Sequence, residues 1–561
     1  MPCRTTPAHY IARGAGVPCA AAVLIVLSVT GCRERSAAEP APAIPYPDLI
    51  GADQTVIDKV TRARAMVRKD PDSAITWGRL GMVLDAHGFD DGAKSCYRHA
   101  ALLDATDVRW PYLTGLIAQL DDPVGAAEWF EAAIDLDPQS PAIRQTYAAA
   151  LVRAGRPDDA RRQYQAALRI DPGFRKALLG VAELEVQDGA LDEALKLLQR
   201  AAEMEFCERE VHVKLARLFQ RLGEPARARH EALIVRAYPA LAPVNDPYRA
   251  QVDIERVSVK AYVQRGLAYL ANQRYAEAER AFRQALHLRS DSVRNHLNLG
   301  GVLVRQKRLA ESLEIFHRAL DMAPEDPEVH NNLAVALGEA GDQRGAIEHL
   351  RTALRLDPNH DEAHFNLGRI HEDQGRLDEA MEAYQKAIDI NPVNVPAHNE
   401  LARLLSRGGR TADAFSHWRD AFAFGCHDSA AAFNLALVMA QRRQFGEAVG
   451  VLRRGLTKAP DHEALTAMLA TILATCPEAR HRNGPEAVKL ANRLLARNGS
   501  DHVPSLNLMA AGQAEAGDYK GAAETSERAL RLAQRAQDAE LVRLISARLV
   551  LYWAGEPYHQ P

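Results

Sequence analysis

Three histidines in one short stretch have a spacing that could bind a metal ion. The segment HDEAHFNLGRIH carries His360, His364 and His371. In an α-helix of 3.6 residues per turn, spacings of four and seven place three side chains near one face. Imidazole nitrogens are common zinc ligands. The surrounding sequence decides between a metal site and ordinary packing.

The same segment is one unit of a sequence period of 34 residues. Units that begin at residues 293, 327 and 361 align without gaps, and prolines recur at Pro324, Pro358, Pro392 and Pro460. Apolar residues at positions 4, 7, 8 and 11, and again at 20, 24 and 27, predict two amphipathic helices per unit. A turn near position 15 and the proline at position 32 predict where these helices end.

This pattern resembles the tetratricopeptide repeat (TPR), and the resemblance implies an all-α, right-handed superhelix of stacked helical hairpins. One hairpin cannot bury its own apolar face, so neighbouring units must stack. We expect about twelve or thirteen units. They form a first sub-array over residues 51–239 and a second over 259–535. The period breaks over 240–258, which we interpret as a joint, and residues 536–561 form a capping helix and tail.

A ladder of histidines argues against a metal site. His296, His330, His364 and His398 all occupy position 4 of successive units. Equivalent helices lie roughly 8–10 Å apart, whereas two imidazole nitrogens on one zinc ion lie within about 4 Å of each other. We therefore expect structural histidines packed between helices, with no metal and no cofactor. A metal site at 360–371 is the alternative.

Position 6 carries a second ladder, made of amides. We define the asparagine ladder as Asn298, Asn332, Asn366 and Asn434; Glu400 takes the remaining place in the series. The arrangement is similar to the TPR domain of O-linked N-acetylglucosamine transferase, and that similarity implies contact with the backbone of an extended peptide. An amide both donates and accepts hydrogen bonds. Alternatively, asparagine is simply common at this position of the repeat.

The amino terminus has the features of a secretory signal. Two arginines precede the apolar run VPCAAAVLIVLSV, which is too short to span a bilayer comfortably. The following Val29-Thr30-Gly31-Cys32 resembles a bacterial lipobox, which implies that residues 1–31 are removed and that Cys32 is lipidated. A plain signal peptide with a chance cysteine is the alternative. We interpret residues 32–50, rich in proline and alanine, as a tether.

These features predict a lipid-anchored protein of the bacterial cell envelope that faces the periplasm or the cell surface. Arg33, in place of an aspartate, favours the outer membrane. The net charge is −4 and no basic block is present, so a nucleic-acid partner is not expected. Signatures of P-loop, zincin, serine hydrolase and EF-hand sites are missing from the sequence.

We therefore expect a non-catalytic scaffold or adaptor that binds extended segments of a protein partner in a concave groove. One alternative is an accessory or chaperone subunit of an envelope enzyme, redox or export complex. Histidine or cysteine side chains exposed in the groove would favour that alternative. A catalytic function is a further alternative.

Overall fold

The computed structural model describes residues 42–50, 52–202, 204, 209–237, 246–425 and 428–560. Within these ranges the chain forms 29 α-helices, one short 3₁₀ turn at Ala479–His481 and no β-strand. The predicted all-α stack of helical hairpins is therefore confirmed. Residues 1–31, Cys32 and the tether up to residue 41 lie outside the described residues.

The first sub-array contains one leading helix and five hairpins. Its helices are α1 (Gln54–Lys69), α2 (Ala74–Ala86), α3 (Asp90–Leu103), α4 (Arg109–Asp121), α5 (Pro123–Leu136), α6 (Pro141–Arg153), α7 (Pro157–Ile170), α8 (Arg175–Gln187), α9 (Leu191–Ala202), α10 (Arg209–Arg221) and α11 (Pro225–Ala237). We did not predict α1 as an element. Its buried Val56, Val60, Ala63 and Val67 repeat at helical spacing and cover the open end of the first hairpin.

A short helix, α12 (Pro247–Glu255), separates the two sub-arrays and lies within the predicted joint. The second sub-array contains eight hairpins and a final helix. These helices are α13 (Val259–Ala271), α14 (Tyr275–Leu288), α15 (Val293–Arg305), α16 (Leu309–Met322), α17 (Pro327–Glu339), α18 (Gln343–Leu356), α19 (Asp361–Asp373), α20 (Leu377–Ile390), α21 (Val395–Arg407), α22 (Thr411–Phe424), α23 (Ser429–Gln441), α24 (Phe445–Lys458), α25 (Glu463–Thr475), α26 (Gly484–Asn498), α27 (Val503–Glu515), α28 (Tyr519–Arg535) and α29 (Ala539–Trp553).

In most hairpins, a small residue on the first helix accepts a large side chain from the second. Gly300 of α15 lies against the buried ring of Phe316 on α16, and a Cβ added at Gly300 would be 2.4 Å from that ring. The Ser312 hydroxyl donates a hydrogen bond of 2.9 Å to the Gly300 carbonyl oxygen. Positions 8, 20 and 24 of the sequence period therefore form the contact between the two helices.

In eleven of the thirteen hairpins described, the turn contains a residue in the left-handed region; the turns at Asp122 and at residues 476–483 contain none. Gly341 occupies this position with φ 91°, and glycine adopts that conformation without a steric penalty. In three hairpins of the second sub-array the turn residue is not glycine: Gln273 (φ 57°), Lys307 (φ 62°) and Arg443 (φ 60°) take its place. These turns are strained relative to the others.

Both ends of the described chain contact the stack. Among residues 42–50, Ile44 and Leu49 pack on the first core, and the Pro45 carbonyl oxygen accepts a hydrogen bond of 2.9 Å from Arg64 Nε. At the other end, the backbone N–H of Gln560 donates a bond of 2.8 Å to the Thr475 carbonyl oxygen. The last described residues therefore lie across the end of α25.

The second sub-array also contacts the first at a distance along the chain. The rings of His230 on α11 and Phe424 on α22 have centroids 5.8 Å apart. No helix in the described ranges has both the length and the apolar character that a bilayer-spanning helix requires.

Candidate functional site

The first helices of neighbouring hairpins share one face of the stack, which the resemblance to the tetratricopeptide repeat makes the inner, concave surface. This geometry is visible where α12 lies on it, because that nine-residue helix contacts side chains from α1, α2 and α4 together. Because α2 and α4 are the first helices of neighbouring hairpins, α12 lies on the face that these first helices share. In the second sub-array the equivalent helices are α15, α17, α19, α21 and α23, which carry all five position-6 residues.

All four ladder asparagines and Glu400 are half-buried. They differ in their partners. The Asn332 side-chain amide donates a bond of 2.8 Å to the Glu328 carbonyl oxygen of its own helix. Asn298 and Asn434 make no hydrogen bond within the described structure. Their amides are therefore available to a ligand without breaking an internal bond.

Asn366 instead belongs to an amide network between two units. Its Nδ2 donates a bond of 2.9 Å to Oδ1 of Asn331, which is 2% exposed and occupies position 5 of the preceding unit. In the next unit Asn399 also occupies position 5, and its Nδ2 donates a bond of 3.1 Å to Asp428 Oδ1. We did not select these position-5 amides from the sequence, although their adjacency to position 6 was a usable signal. They hold neighbouring units in register.

Glu400 is engaged in a charged cluster and not in a row of amides. Arg403 Nε donates a bond of 2.8 Å to Glu400 Oε2, and the same guanidinium pairs with Glu372 of the preceding unit. The Tyr384 hydroxyl donates a bond of 3.2 Å to Glu372, and burial raises the pKa of Tyr384. At this unit the inner surface therefore offers charge in place of a neutral amide.

The polarity of the inner surface changes along the second sub-array. Ion pairs link neighbouring units at its start, where Arg294 Nη1 lies 2.8 Å from Glu328 Oε1. On α23, the residues on the same helix face as Asn434 include Ala430 and Leu437. Leu437 is 41% exposed. The amide of Asn434 therefore lies on an apolar face, whereas Asn298 lies beside charged side chains.

The position-4 histidines pack inside their hairpins. His296, His330 and His398 are buried, and His364 is half-buried with its Nε2 lying 3.1 Å from the Pro358 carbonyl oxygen. His360 caps α19, where its side chain accepts a hydrogen bond from the Ala363 backbone N–H. In the described parts of the chain, no three His, Cys, Asp or Glu side chains are grouped as metal ligands.

Two of these histidines are hydrogen-bonded to a second histidine, at position 23. Nδ1 of His330 lies 2.9 Å from Nδ1 of His349, and Nδ1 of His398 lies 3.0 Å from Nδ1 of His417. Nε2 of His330 lies 2.9 Å from the Pro324 carbonyl oxygen, and Nε2 of His398 lies 3.1 Å from that of Pro392. A carbonyl can only accept, so each Nε2 carries the proton and each position-4 Nδ1 accepts from its partner.

Neutral imidazoles favour this pairing, because a pair in which both rings are protonated has no Nδ1 left to accept the hydrogen bond. Burial lowers the pKa of His349, and the neighbouring His330 lowers it further. Burial likewise lowers the pKa of His417, with His398 adding to the effect, and burial also lowers the pKa of His398. The histidine pairs are therefore structural contacts in surroundings that disfavour the charged imidazole.

Comparison with known families supports the repeat assignment. Models described as "Tetratricopeptide repeat" match residues 263–327 and 331–395, residues 118–172 and 151–212, and residues 383–415. Anaphase-promoting complex subunit 7 of Arabidopsis thaliana is 36% identical over 70 residues, which is 12% of this chain and 12% of that protein. The chain thus covers only a small part of this curated relative.

Two solved structures overlap more of the chain at lower identity. The yeast Tom70 structure covers 78% of this chain and 94% of its own, with 16% identity and a TM-score of 0.33. The APC/C hetero-tetramer Cut9-Hcn1 covers 85% of this chain and 96% of its own, with 12% identity and a TM-score of 0.38. Superpositions this loose say nothing about partners. The matching family models and the series of helical hairpins together show that the chain is built of tetratricopeptide repeats.

Proposed function

We propose that the protein is a non-catalytic scaffold that binds an extended polypeptide segment on the inner surface of the second sub-array. The observation that carries this proposal is the state of the ladder: the amides of Asn298 and Asn434 have no partner within the described structure. Asn298 and Asn434 lie at the two ends of the ladder, and Asn332 and Asn366 lie between them. An extended backbone offers the N–H and C=O groups that such amides bind.

The length of the bound segment follows from the repeat geometry. From Asn298 to Asn434 the chain passes through four repeat intervals, which correspond to ~40 Å at roughly 10 Å per interval. An extended peptide rises about 3.3 Å per residue, so about twelve residues span the ladder. Each amide contact contributes about 1 kcal/mol net. Side chains must therefore supply much of the selectivity.

The change in polarity along the surface indicates which side chains these are. The α15 end presents the Arg294–Glu328 pair, and the α23 end presents Ala430 and Leu437. We expect a segment with charged residues at one end and apolar residues at the other. The accessory or chaperone alternative gains no support, since the described cysteines, Cys96 and Cys476, are buried and the ladder histidines face the hairpin interiors.

Selection from a library of random twelve-residue peptides displayed on phage tests this function. The purified full chain is compared with a variant in which all four ladder asparagines are changed to alanine. We expect the wild type to enrich peptides that bind in the micromolar range or weaker, and the variant to bind them at least about tenfold more weakly, because several hydrogen bonds are lost.

The control variant removes four exposed amides elsewhere, by Gln284→Ala, Gln343→Ala, Asn359→Ala and Gln534→Ala. It should bind the selected peptides like the wild type. Equal binding by the ladder variant would show that the asparagines only belong to the repeat pattern. The site would then have to be sought on another surface.

We also propose that the chain is anchored at the bacterial cell envelope by lipid on Cys32, facing the periplasm or the cell surface, and at the outer membrane in a cell that has one. The support is the apolar run and the lipobox-like residues that follow it. Expressed in a bacterium fed labelled palmitate, the wild type should incorporate label and enter the detergent phase, whereas Cys32→Ser should do neither. Unlabelled wild-type protein would contradict the anchor.

A further inference from the structure

The inner surface of the first sub-array is not empty, because α12 lies on it. We define the first groove as the surface formed by α1, α2, α4 and the end of α5 where they contact α12. Helix α12 lies against helices more than a hundred residues earlier in the sequence. Val252, at the centre of α12, is fully buried in the first core.

An arginine on α12 forms a buried ion pair at the middle of the first groove. Arg249 Nη1 donates to both carboxylate oxygens of Asp85 on α2, at 2.7 and 2.9 Å. Asp85 is 6% exposed and also accepts a bond of 3.2 Å from the Tyr97 hydroxyl. Burial raises the pKa of Asp85, and Arg249 opposes that rise. Without a cation opposite it, this carboxylate would be a buried unpaired charge.

The start of α12 is held by two tyrosines. The Tyr112 hydroxyl on α4 donates a bond of 2.5 Å to Asp246, the residue that caps α12. The Tyr248 hydroxyl donates a bond of 3.0 Å to Asp137 at the end of α5. The two tyrosine rings lie 5.1 Å apart. These contacts fix the direction in which a helix crosses the first groove.

The other end of α12 is held by charge and backbone contacts. Lys59 Nζ on α1 lies 2.8 Å from Glu255 Oε2 and donates a bond of 2.7 Å to the Glu255 carbonyl oxygen. The Val257 backbone N–H donates a bond of 3.3 Å to His87 Nε2. Side chains of the first groove therefore contact both ends and the centre of α12.

The contacts define one face of the occupant. Tyr248, Arg249, Val252 and Glu255 lie on the side of α12 that meets the first groove, at helical spacing. Ile254 points away and is 62% exposed. A short helix with an acid at its N-cap, followed by tyrosine, arginine and valine at these spacings, is therefore the ligand that this surface accepts.

We propose that the first groove is a second interaction site, for a short amphipathic helix of this pattern, and that α12 occupies it as a built-in competitor. A partner that presents the same face binds there only when α12 is released. This site is separate from the asparagine ladder, so either assignment can fail without the other.

The test uses the full chain and a labelled synthetic peptide, DPYRAQVDIERVS, which copies residues 246–258. The release variant combines Arg249→Ala and Val252→Ala, and the matched control is Ile254→Ala on the exposed face of the same helix. We expect the peptide to bind the release variant at least about tenfold more tightly than it binds the wild type or the control, because a competitor in cis lowers the apparent affinity.

Hydrogen exchange at the amides of α12 is measured in the same variants. Faster exchange there, with unchanged exchange in α20 to α24, would show that the helix has been released from a folded chain. Release without binding of the peptide would overturn the proposal, and so would equal binding by wild type and variant. Unchanged protection of α12 in the release variant would also overturn it, since Arg249 and Val252 would then not hold the helix.

Discussion

Two histidine pairs show how single residues fix a hairpin in this protein. His330 and His398 occupy position 4, His349 and His417 occupy position 23, and each pair joins the two helices of one unit. A protonated imidazole donates from both nitrogens, so a pair in which both rings are charged cannot keep an Nδ1–Nδ1 hydrogen bond. The pairs therefore connect the packing of two units to pH.

We expect the protein to lose stability as the pH falls from 7.5 to 5. The folded-state pKa values of His349, His398 and His417 lie below the usual value, so the unfolded chain binds more protons in acid and is favoured. The contribution is complete above the unfolded-state pKa and is lost as the pH falls below it. Urea unfolding followed by circular dichroism should show a lower midpoint at pH 5.

A double variant, His349→Asn with His417→Asn, separates these histidines from other titrating groups. Asparagine keeps an N–H donor near the position of Nδ1 but does not titrate. The shift in midpoint between the two pH values should be roughly halved. The control is His287→Asn, an exposed histidine on a helix, which should leave the shift unchanged. An unchanged shift in the double variant would contradict the role of the pairs.

Some of these residue contacts could be predicted and others could not. The repeat spacing was sufficient to place His330 and His398 inside the stack, because a residue that recurs in every unit belongs to the wall. The partner histidines at position 23 occur in only two units, so no repeating pattern in the sequence indicated them. The hydrogen bond between Asn366 and Asn331 joins position 6 to position 5 of another unit, and such a contact depends on the stacking angle.

At the scale of the elements, most hairpins match a small residue to a large one. Gly300 faces Phe316, whereas in the next unit Ala334 and Leu350 occupy the same two positions. The larger aromatic ring is thus paired with the residue that lacks a side chain. Changing Gly300 and Phe316 to the residues of the next unit therefore gives a mutation and a second mutation that should compensate for it.

Gly300→Ala should destabilise its hairpin by about 1–3 kcal/mol, because a Cβ would overlap a buried ring. Phe316→Leu alone should leave a cavity and also destabilise. The double variant reproduces the Ala–Leu pair of the next unit and should cost less than the two single changes added together. Native-state hydrogen exchange in α15 and α16 measures each cost; strict additivity would mean that the two residues do not pack as described.

The helices could be predicted where the 34-residue sequence period is clear, and they could not be predicted where that period is absent. The hairpins of the second sub-array follow from the proline and small-residue positions. By contrast, α1 has no partner helix of its own and α12 interrupts the period. The position of α12 depends on contacts such as Arg249 with Asp85, which are 164 residues apart. A local sequence pattern cannot predict a contact between residues so far apart in the chain.

At the scale of the whole molecule, the core is a series of local clusters along the stack. Leu333 on α17 is fully buried in a cluster with residues from α15 and α16. In repeat proteins, stability is approximately a sum of unit and neighbour terms. A defect in one unit should therefore remain local.

Leu333→Ala should cost about 2–5 kcal/mol in its own region. Hydrogen exchange should accelerate in α15 to α18 and stay unchanged in α2 to α9. The isosteric control Leu333→Met should cost much less, under about 1.5 kcal/mol. Acceleration throughout the chain would show instead that the molecule unfolds as one cooperative unit.

The placement of α12 also has a mechanical consequence. A stack of helical hairpins behaves as a coiled spring, and α12 pins the first coil through a buried ion pair, two tyrosines and a lysine. The ring contact between His230 on α11 and Phe424 on α22 joins the two sub-arrays by a single aromatic pair. Under a pulling force along the stack, we expect this contact to break before the first sub-array extends. The stretch between these two rings carries Asn298, Asn332 and Asn366, so a bound segment should be released from them first.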